Sequence, residues 1–389
     1  MAELPAVRVS RKGADRVASG HPWIFSSDVI DRGVAQPGDA VHVFDPRNRP
    51  LGTAHFSSTS QITLRLLSRE LIVPDAAFFE ARIEQALALR RRVVQESAAC
   101  RLVYGEADQL PALIVDSYGD CFVLQTLSQA MDRAKNEIAS VLRERLQARA
   151  IVERNDVTVR TRESLPLVAG VLTGDLPEPV EVSMNGLRWR ADLLHGHKTG
   201  VFLDQRENYR AAARYARGRA LDCFTATGGF ALHLAARCEH VEAIDSSAAS
   251  LAVAEANREL NGIQNVTFRE ADAFEVLAMH VHARQQFDTV VLDPPAFAKS
   301  RQALEGAARG YKEINLRALR LLGAGGILVT CSCSHHFSEA MLLETVAAAA
   351  LDAGRTLRVL ERRTQAQDHP ILLTVPETHY LKCLILEVV

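Results

Sequence analysis

No stretch of this 389-residue chain is apolar for long enough to span a bilayer. Its first residues, MAELPAVRVSRKG, lack the apolar core of a secretory signal. There is no Walker A loop and no HExxH sequence. Seven cysteines occur at spacings that fit neither a disulfide scaffold nor a four-cysteine zinc module. A cytoplasmic protein with reduced cysteines is expected. The formal net charge of −2 argues against a uniformly basic coat for nucleic acid but leaves a local basic cleft open. What is present is an ordinary soluble balance, 48% hydrophobic and 24% charged, over a length that suits two or three domains. No internal repeat or disordered linker marks the boundaries. We place them at 1–72, 73–188 and 189–389.

The first unit reads as β-rich. VRV at 7–9 and DAVHVFDP at 39–46 alternate apolar and polar residues, and PLGTAHFS and QITLRLLS follow between polar turns. Trp23 and Phe25 suit a small core or a surface on which RNA bases stack. Residues 1–70 hold nine Arg or Lys against seven Asp or Glu. Arg8, Arg11, Lys12 and Arg16 are the one conspicuous cluster. Arg11 and Lys12 are candidate RNA contacts, although a solvated surface explains them equally well.

The middle unit mixes helices and strands. AAFFEARIEQALALRRRVV has helical spacing, with Pro74 ahead of it and Arg90, Arg91 and Arg92 at the end where a helix favours positive charge. PALIVDSYGDCFVLQTLS predicts a hairpin turning around Tyr118, Gly119 and Asp120, and MDRAKNEIASVLRERL a second helix. DVTVRTRE and EVSMNGLRWRADL are strand candidates, the latter turning at Asn185-Gly186.

From about 190 strands and helices alternate. ALDCFTATGGF, HVEAIDSS, VTFREADAF, FDTVVLDPPAF and GGILVTCSCS are the strands, and SLAVAEANREL and YKEINLRALRLL are helices between them. This pattern predicts a largely parallel sheet covered on both faces. Functional groups belong at the strand C-termini of such a sheet. Asp222, Asp245, Asp272 and Asp293 stand there, on four successive strands. The turn Thr225-Ala226-Thr227-Gly228-Gly229-Phe230 is not GxGxxG, yet its glycines permit a tight turn and close approach of a ligand. Asp245, 23 residues after Asp222, can accept both hydroxyls of a ribose. Spacing along the sheet edge disfavours a metal cluster, and no metal is expected.

In this order, DCFTATGGF, AIDSS, READAF, DPPAF and VTCSCSHH resemble class I RNA methyltransferases. The nearest resemblance is to bacterial large-subunit ribosomal RNA cytosine-C5 methyltransferases with an N-terminal PUA domain. HKTGVFLDQREN at 197–208 resembles that family's segment before the glycine turn, and RKGADRVASGHPWIFSSDV the start of its PUA domain. The resemblance spans nearly the whole chain. It implies a Rossmann-like class I methyltransferase sheet behind a PUA-like domain and a central α+β domain, with S-adenosyl-L-methionine as cofactor. It implies 23S ribosomal RNA as partner, free or in an assembling subunit, and homodimerisation. By motif position, Asp222, Phe224, Thr225, Ala226, Thr227, Gly228 and Gly229 surround the cofactor's amino-acid part. Asp245 and Ser246 lie at the ribose, Asp272 and Ala273 near the adenine, and Gln205 and Arg206 help close the pocket. For Arg206 an ion pair is the rival role. Asp293, Pro294 and Pro295 frame the meeting of methyl group and base.

Cytosine C5 is a poor nucleophile until a thiolate adds at C6. The cysteine directly after the threonine of this motif, Cys331, is the family's nucleophile; Cys333 is two residues on and shares its side if the strand continues. Many related enzymes carry a second cysteine after the proline of the fourth-strand motif. Here Ala296 and Phe297 follow Pro295, so the C5 proton needs another acceptor. Asp293 suits that role or that of orienting the cytosine amino group. Phe297 suits stacking on the base or packing in the core. A zinc site from CSCSHH is disfavoured, because adjacent His335 and His336 would need a severe loop to converge. The rival functions are methylation of a purine base, a non-catalytic RNA-binding assembly protein and, more distantly, a dinucleotide oxidoreductase.

Overall fold

The computed structural model describes residues 4–196, 199–298 and 300–389. Apolar residues at every second position build the first sheet. Its elements are β1 (Ala6–Val9), α1 (Arg11–Ala18), β2 (Trp23–Phe25), β3 (Val29–Asp31), β4 (Ala40–Phe44), β5 (Pro50–Phe56) and β6 (Ile62–Ser68), with strand order β2-β6-β5-β4-β1-β3. Val7, Val9, Ile24, Val41, Val43 and Leu64 turn inward as its core. Helix α1 was not anticipated. Ser10 caps it by accepting the Gly13 N–H, and Gly13 and Val17 face the sheet while Arg11 and Lys12 point out.

The central elements are α2 (Ala76–Val93), β7 (Ala99–Tyr104), β8 (Leu113–Tyr118), β9 (Cys121–Thr126), α3 (Gln129–Leu146), β10 (Ala150–Asn155) and β11 (Val168–Gly174). Their strands order as β11-β10-β9-β8-β7. The expected hairpin is β8–β9, and Asp75 and Ser128 cap the two expected helices. The strand expected in DVTVRTRE is instead a 3-10 helix, Thr158–Glu163. Its alternation comes from polar anchoring: buried Arg160 reaches Thr126, Asp132 and the Pro166 carbonyl, which a straight strand would not allow. Glu163, buried at the helix end, accepts from Ser57 at 2.7 Å and Arg65 at 2.9 Å and so ties the first sheet to the central one. Trp23 likewise donates to Glu106 at 2.8 Å, so its indole serves packing. β12 (Val180–Met184) and β13 (Leu187–Ala191) form the predicted hairpin, with positive φ at both Asn185 and Gly186.

The last elements are α4 (Arg206–Tyr215), β14 (Arg219–Cys223), α5 (Gly229–Leu234), β15 (His240–Asp245), α6 (Ala248–Leu260), β16 (Val266–Glu270), α7 (Ala273–His282), β17 (Phe287–Leu292), α8 (Leu304–Leu321), β18 (Leu322–Ser332), α9 (Glu339–Ala353), β19 (Leu357–Arg363) and β20 (Lys382–Val388). The strands order as β16-β15-β14-β17-β18-β20-β19, parallel except for β20, which runs against both neighbours. Leu221, Ile244, Val290, Leu292 and Leu328 are buried within this sheet. β14 pairs with β15 on one side and β17 on the other. The strand order reverses there, and in open sheets of this kind ligands bind at the carboxyl ends of the strands beside such a switch point.

By compactness the chain forms two units. One is 1–182 with 191–200 and 367–378; the other is 183–190 with 201–366 and 379–389. The first and central sheets thus share a unit, and two short segments join it from later in the chain. Among the described residues no helix is long and apolar enough to cross a membrane.

Candidate cofactor and catalytic site

Strand β14 delivers Asp222 to the switch point, and the chain then turns sharply. Phe224, Ala226 and Gly228 all take positive φ, two of them without the freedom of glycine. The turn wraps the Asp222 carboxylate. Thr225 Oγ1 donates to its Oδ2 at 2.6 Å and the Ala231 N–H at 3.0 Å, while the buried Oδ1 has no hydrogen-bond partner among the described residues. Burial pushes the Asp222 carboxyl up to about 7; the Thr225 and Ala231 hydrogen bonds oppose the shift, and the charges of Asp293 and Asp245 add to it. Thr227 is buried, and its carbonyl accepts from Asn257 at 3.5 Å. Gly229 is required by a close neighbour: a Cβ there would lie 2.4 Å from the Tyr209 ring.

Asp245 clasps the same turn. Its Oδ2 accepts the Ala226 N–H at 2.8 Å and its Oδ1 the Ser247 N–H at 2.9 Å, leaving the second lone pair of each oxygen for a ligand. Ser246 is exposed beside it. Asp272 is the exposed N-cap of α7 and accepts the Glu275 N–H at 3.1 Å; Ala273 behind it is buried. Asp293 follows β17, half-buried, with its N–H donating to the Cys223 carbonyl at 3.3 Å. Pro294 is buried and Pro295 exposed. Phe297 lies in a ring cluster, 4.7 Å from Tyr311 and 6.1 Å from Phe274, against the main core. That is the packing alternative.

The HKTGVFLDQREN segment enters from the other side. Its His197 and Lys198 lie outside the described residues. Gln205 and Arg206 are buried at the start of α4, with the Arg206 guanidinium 3.5 Å from Glu207. Cys331 is wholly buried in β18, opposite Cys383 of β20. Burial, then Cys383, then the Asp293 charge push its thiol well above the ordinary range, and Gln205 opposes them. Cys333 lies just past the strand, half-buried, its sulfur 3.9 Å from the Pro294 carbonyl oxygen. His335 and His336 are exposed, and no metal-holding cluster occurs among the described residues. Arg11 and Lys12, in the other unit, are 92% and 73% exposed. Sequence reasoning missed Tyr209, which is buried under the turn and feels Asp293, Asp204, Asp222 and Cys331. Gly229, where only glycine fits, is the one signal that pointed toward it.

A cluster of carboxylates around a buried oxygen unpartnered among the described residues suits a cationic ligand, and known families supply its identity. The family model described as S-adenosylmethionine-dependent methyltransferase matches residues 128–385, and the PUA-like domain model matches 7–69. The class is therefore that of the S-adenosylmethionine-dependent methyltransferases, whose fold this sheet order has. A ribosomal RNA large subunit methyltransferase I from Shewanella denitrificans is 40% identical, over 98% of this chain and 100% of its own. Its counterpart from Shewanella amazonensis is 42% identical over 95% of each chain. With these relatives the chain belongs to the ribosomal RNA large subunit methyltransferase I family. A solved chain assigned as a methyltransferase and complexed with SAH shares the fold, with a TM-score of 0.85 at 18% identity over 99% of this chain and 100% of that one. S-adenosyl-L-methionine carries a sulfonium and an ammonium. The carboxylates of Asp222, Asp245 and Asp293, with the buried Asp222 Oδ1 unpartnered among the described residues, suit cationic groups of this kind.

Proposed function

We propose that this protein methylates C5 of a cytosine in large-subunit (23S) ribosomal RNA through a covalent cysteine–cytosine intermediate. The observation that carries the reading is the thiol of Cys333 against Pro294 at the exit of β17, one strand from the acidic glycine turn. The relatives' names support a ribosomal RNA substrate, and such a substrate is consistent with a cytoplasmic location.

The cofactor supplies an electrophilic methyl group. Asp222 would hold its ammonium, and the backbone of Phe224, Thr225, Ala226, Thr227, Gly228 and Gly229 would enclose its amino-acid part. Asp245, with Ser246 beside it, takes the ribose hydroxyls. Asp272 and Ala273 edge the adenine, and Gln205 and Arg206 close the pocket. Pro294 and Pro295 hold the flipped cytosine, and Arg11 and Lys12 contact RNA phosphates. With the cofactor bound, a thiolate would add to C6, and C5 would then take the methyl group as it leaves the donor sulfur. The C5 proton then leaves to Asp293 or water, and the C6–S bond breaks to return the thiolate.

Of the two cysteines, motif position favours Cys331 and access favours Cys333. A sulfur that must bond a base needs an open approach, and Cys331 is sealed by Cys383. We therefore move the nucleophile from Cys331 to Cys333. Substrate RNA bearing 5-fluorocytosine tests this, because fluorine cannot leave as the proton does. Wild type and C331S should give a cofactor-dependent covalent band on denaturing gels, and C333S none. A band lost only in C331S restores Cys331. No band with any protein, alongside methylated purine in normal RNA, replaces cytosine by a purine target.

A further inference from the structure

Beside the cysteine pair lies a lysine that the reaction as described does not use. Lys382 opens β20 and is only 4% exposed. A buried ammonium is costly unless something nearby needs it. Its Nζ donates to the Ser334 carbonyl at 2.7 Å and the Tyr380 carbonyl at 2.8 Å. Both acceptors are neutral main chain, and Ser334 is the residue after Cys333. Lys382 thus pins the loop that carries the thiol.

The surrounding charges leave its field directed at that loop. Glu339 at the start of α9 faces it, but the carboxylate is bound by Arg362 at 2.5 Å. From α8, the Tyr311 hydroxyl faces Cys333 and is held by Ser332 at 2.9 Å and Ser334 at 3.0 Å. Asp293 precedes Pro294 on the β17 side and opposes a thiolate. His335 and His336 follow in the loop, exposed. Lys382 is the cation within reach of Cys333 that these contacts identify.

We propose that Lys382 is a positioning residue for the nucleophile: its ammonium fixes the 332–336 loop and stabilises the Cys333 thiolate. This rests on Cys333 as the attacking residue. Burial lowers the Lys382 ammonium to about 8, while Cys333 and Glu339 pull the other way, so it is charged at neutral pH. A thiol that must ionise beside Asp293 needs such a counter-charge.

The test reads the thiol and not the methyl transfer. The rate of iodoacetamide alkylation at Cys333 is followed by peptide mass spectrometry from pH 6 to 10 in full-length wild type, K382R and K382Q. Glutamine keeps a donor for the Ser334 carbonyl and loses the charge; arginine keeps the charge. K382Q should move the alkylation midpoint up by about one pH unit, a roughly tenfold slower reaction at neutral pH, with the high-pH plateau retained. K382R should stay near wild type. A K382Q midpoint equal to wild type, or an equal shift in K382R, overturns the proposal. So does a changed plateau with an unchanged midpoint, which marks a purely structural role. If K382Q does not fold, K382M gives the same reading. Loss of the RNA adduct only in C331S would instead overturn the assignment of Cys333, whatever the alkylation shows.

Discussion

Cofactor binding should be linked to the protonation of Asp222. Its carboxyl, pushed up to about 7 by burial, is mostly neutral below that pH in the free protein. A bound ammonium close to the Asp222 carboxyl favours the charged form, so binding must expel the proton. With a free-state pKa near 7, the carboxylate is about 3% ionised at pH 5.5 and about half ionised at pH 7. Affinity for S-adenosylmethionine should rise roughly fifteenfold over that interval, about 1.6 kcal/mol, while the cofactor's amino group stays protonated. Calorimetry in buffers of different ionisation enthalpy should register about 0.9 proton released at pH 6. D222N keeps an acceptor for Thr225 and Ala231; it should bind more weakly at pH 7 and lose the pH dependence. The same shift has a stability consequence. The folded carboxyl binds its proton more tightly than the unfolded one, so its stabilising contribution is complete below about pH 4 and is lost as pH rises through about 7. The cofactor-free D222N protein should therefore gain stability relative to wild type between pH 5 and 8. A flat affinity from pH 5.5 to 7 in wild type, or one equally steep in D222N, would refute the reasoning.

Other changes test other parts of the molecule. D245N should weaken cofactor binding by roughly 1.5–3 kcal/mol, because its amide nitrogen cannot accept from a ribose hydroxyl or from the Ala226 or Ser247 N–H; equal calorimetric affinities would remove Asp245 from the site. The double change R11E and K12E places acids in the first turn of α1, which the helix tolerates, so folding should persist. Its binding to a 23S RNA fragment should lose about one to two units of the salt-dependence slope, and an unchanged slope would take these residues off the RNA. E163A strands the buried Arg65 guanidinium and should cost about 3–5 kcal/mol in urea unfolding, against under 1 kcal/mol for an exposed pair.

Much of the catalytic unit is legible in the sequence because its signals are local. A strand that ends at an Asp and gives way to a turn needs no distant partner to be recognised, and the structure has Asp222, Asp245 and Asp293 at or just past the ends of β14, β15 and β17. Asn185-Gly186 declared its hairpin for the same reason. Other features depend on contacts that spacing does not encode. The 158–163 segment alternates like a strand, yet Arg160 is drawn to Thr126 and Asp132 and the backbone closes into a 3-10 turn. Helix α1 is short and rich in charge, and only the sheet beneath Gly13 and Val17 makes it worth forming. Asp272 was expected at the adenine; its side chain caps α7, a role that the Asp272-x-x-Glu275 spacing carries locally but that was not drawn from it.

The cysteine pair shows where this limit falls in the active site. A period of two places Cys331 and Cys333 on one side, and on that criterion they are equivalent. What separates them is a strand some fifty residues later in the chain. β20 returns antiparallel to β18 and sets Cys383 opposite Cys331 and Lys382 opposite Ser332. The first pairing buries one thiol among groups that resist its ionisation. The second brings an ammonium beneath the loop of the other. Neither pairing can be seen from VTCSCSHH alone, because the register of β20 is fixed by the whole apolar run Leu384–Leu386 packing in the sheet. A one-residue slip would turn that run to the opposite face and bring the Lys382 side chain to the wrong side of the sheet. The different burial of the two cysteines therefore rests on the register of a strand far along the chain.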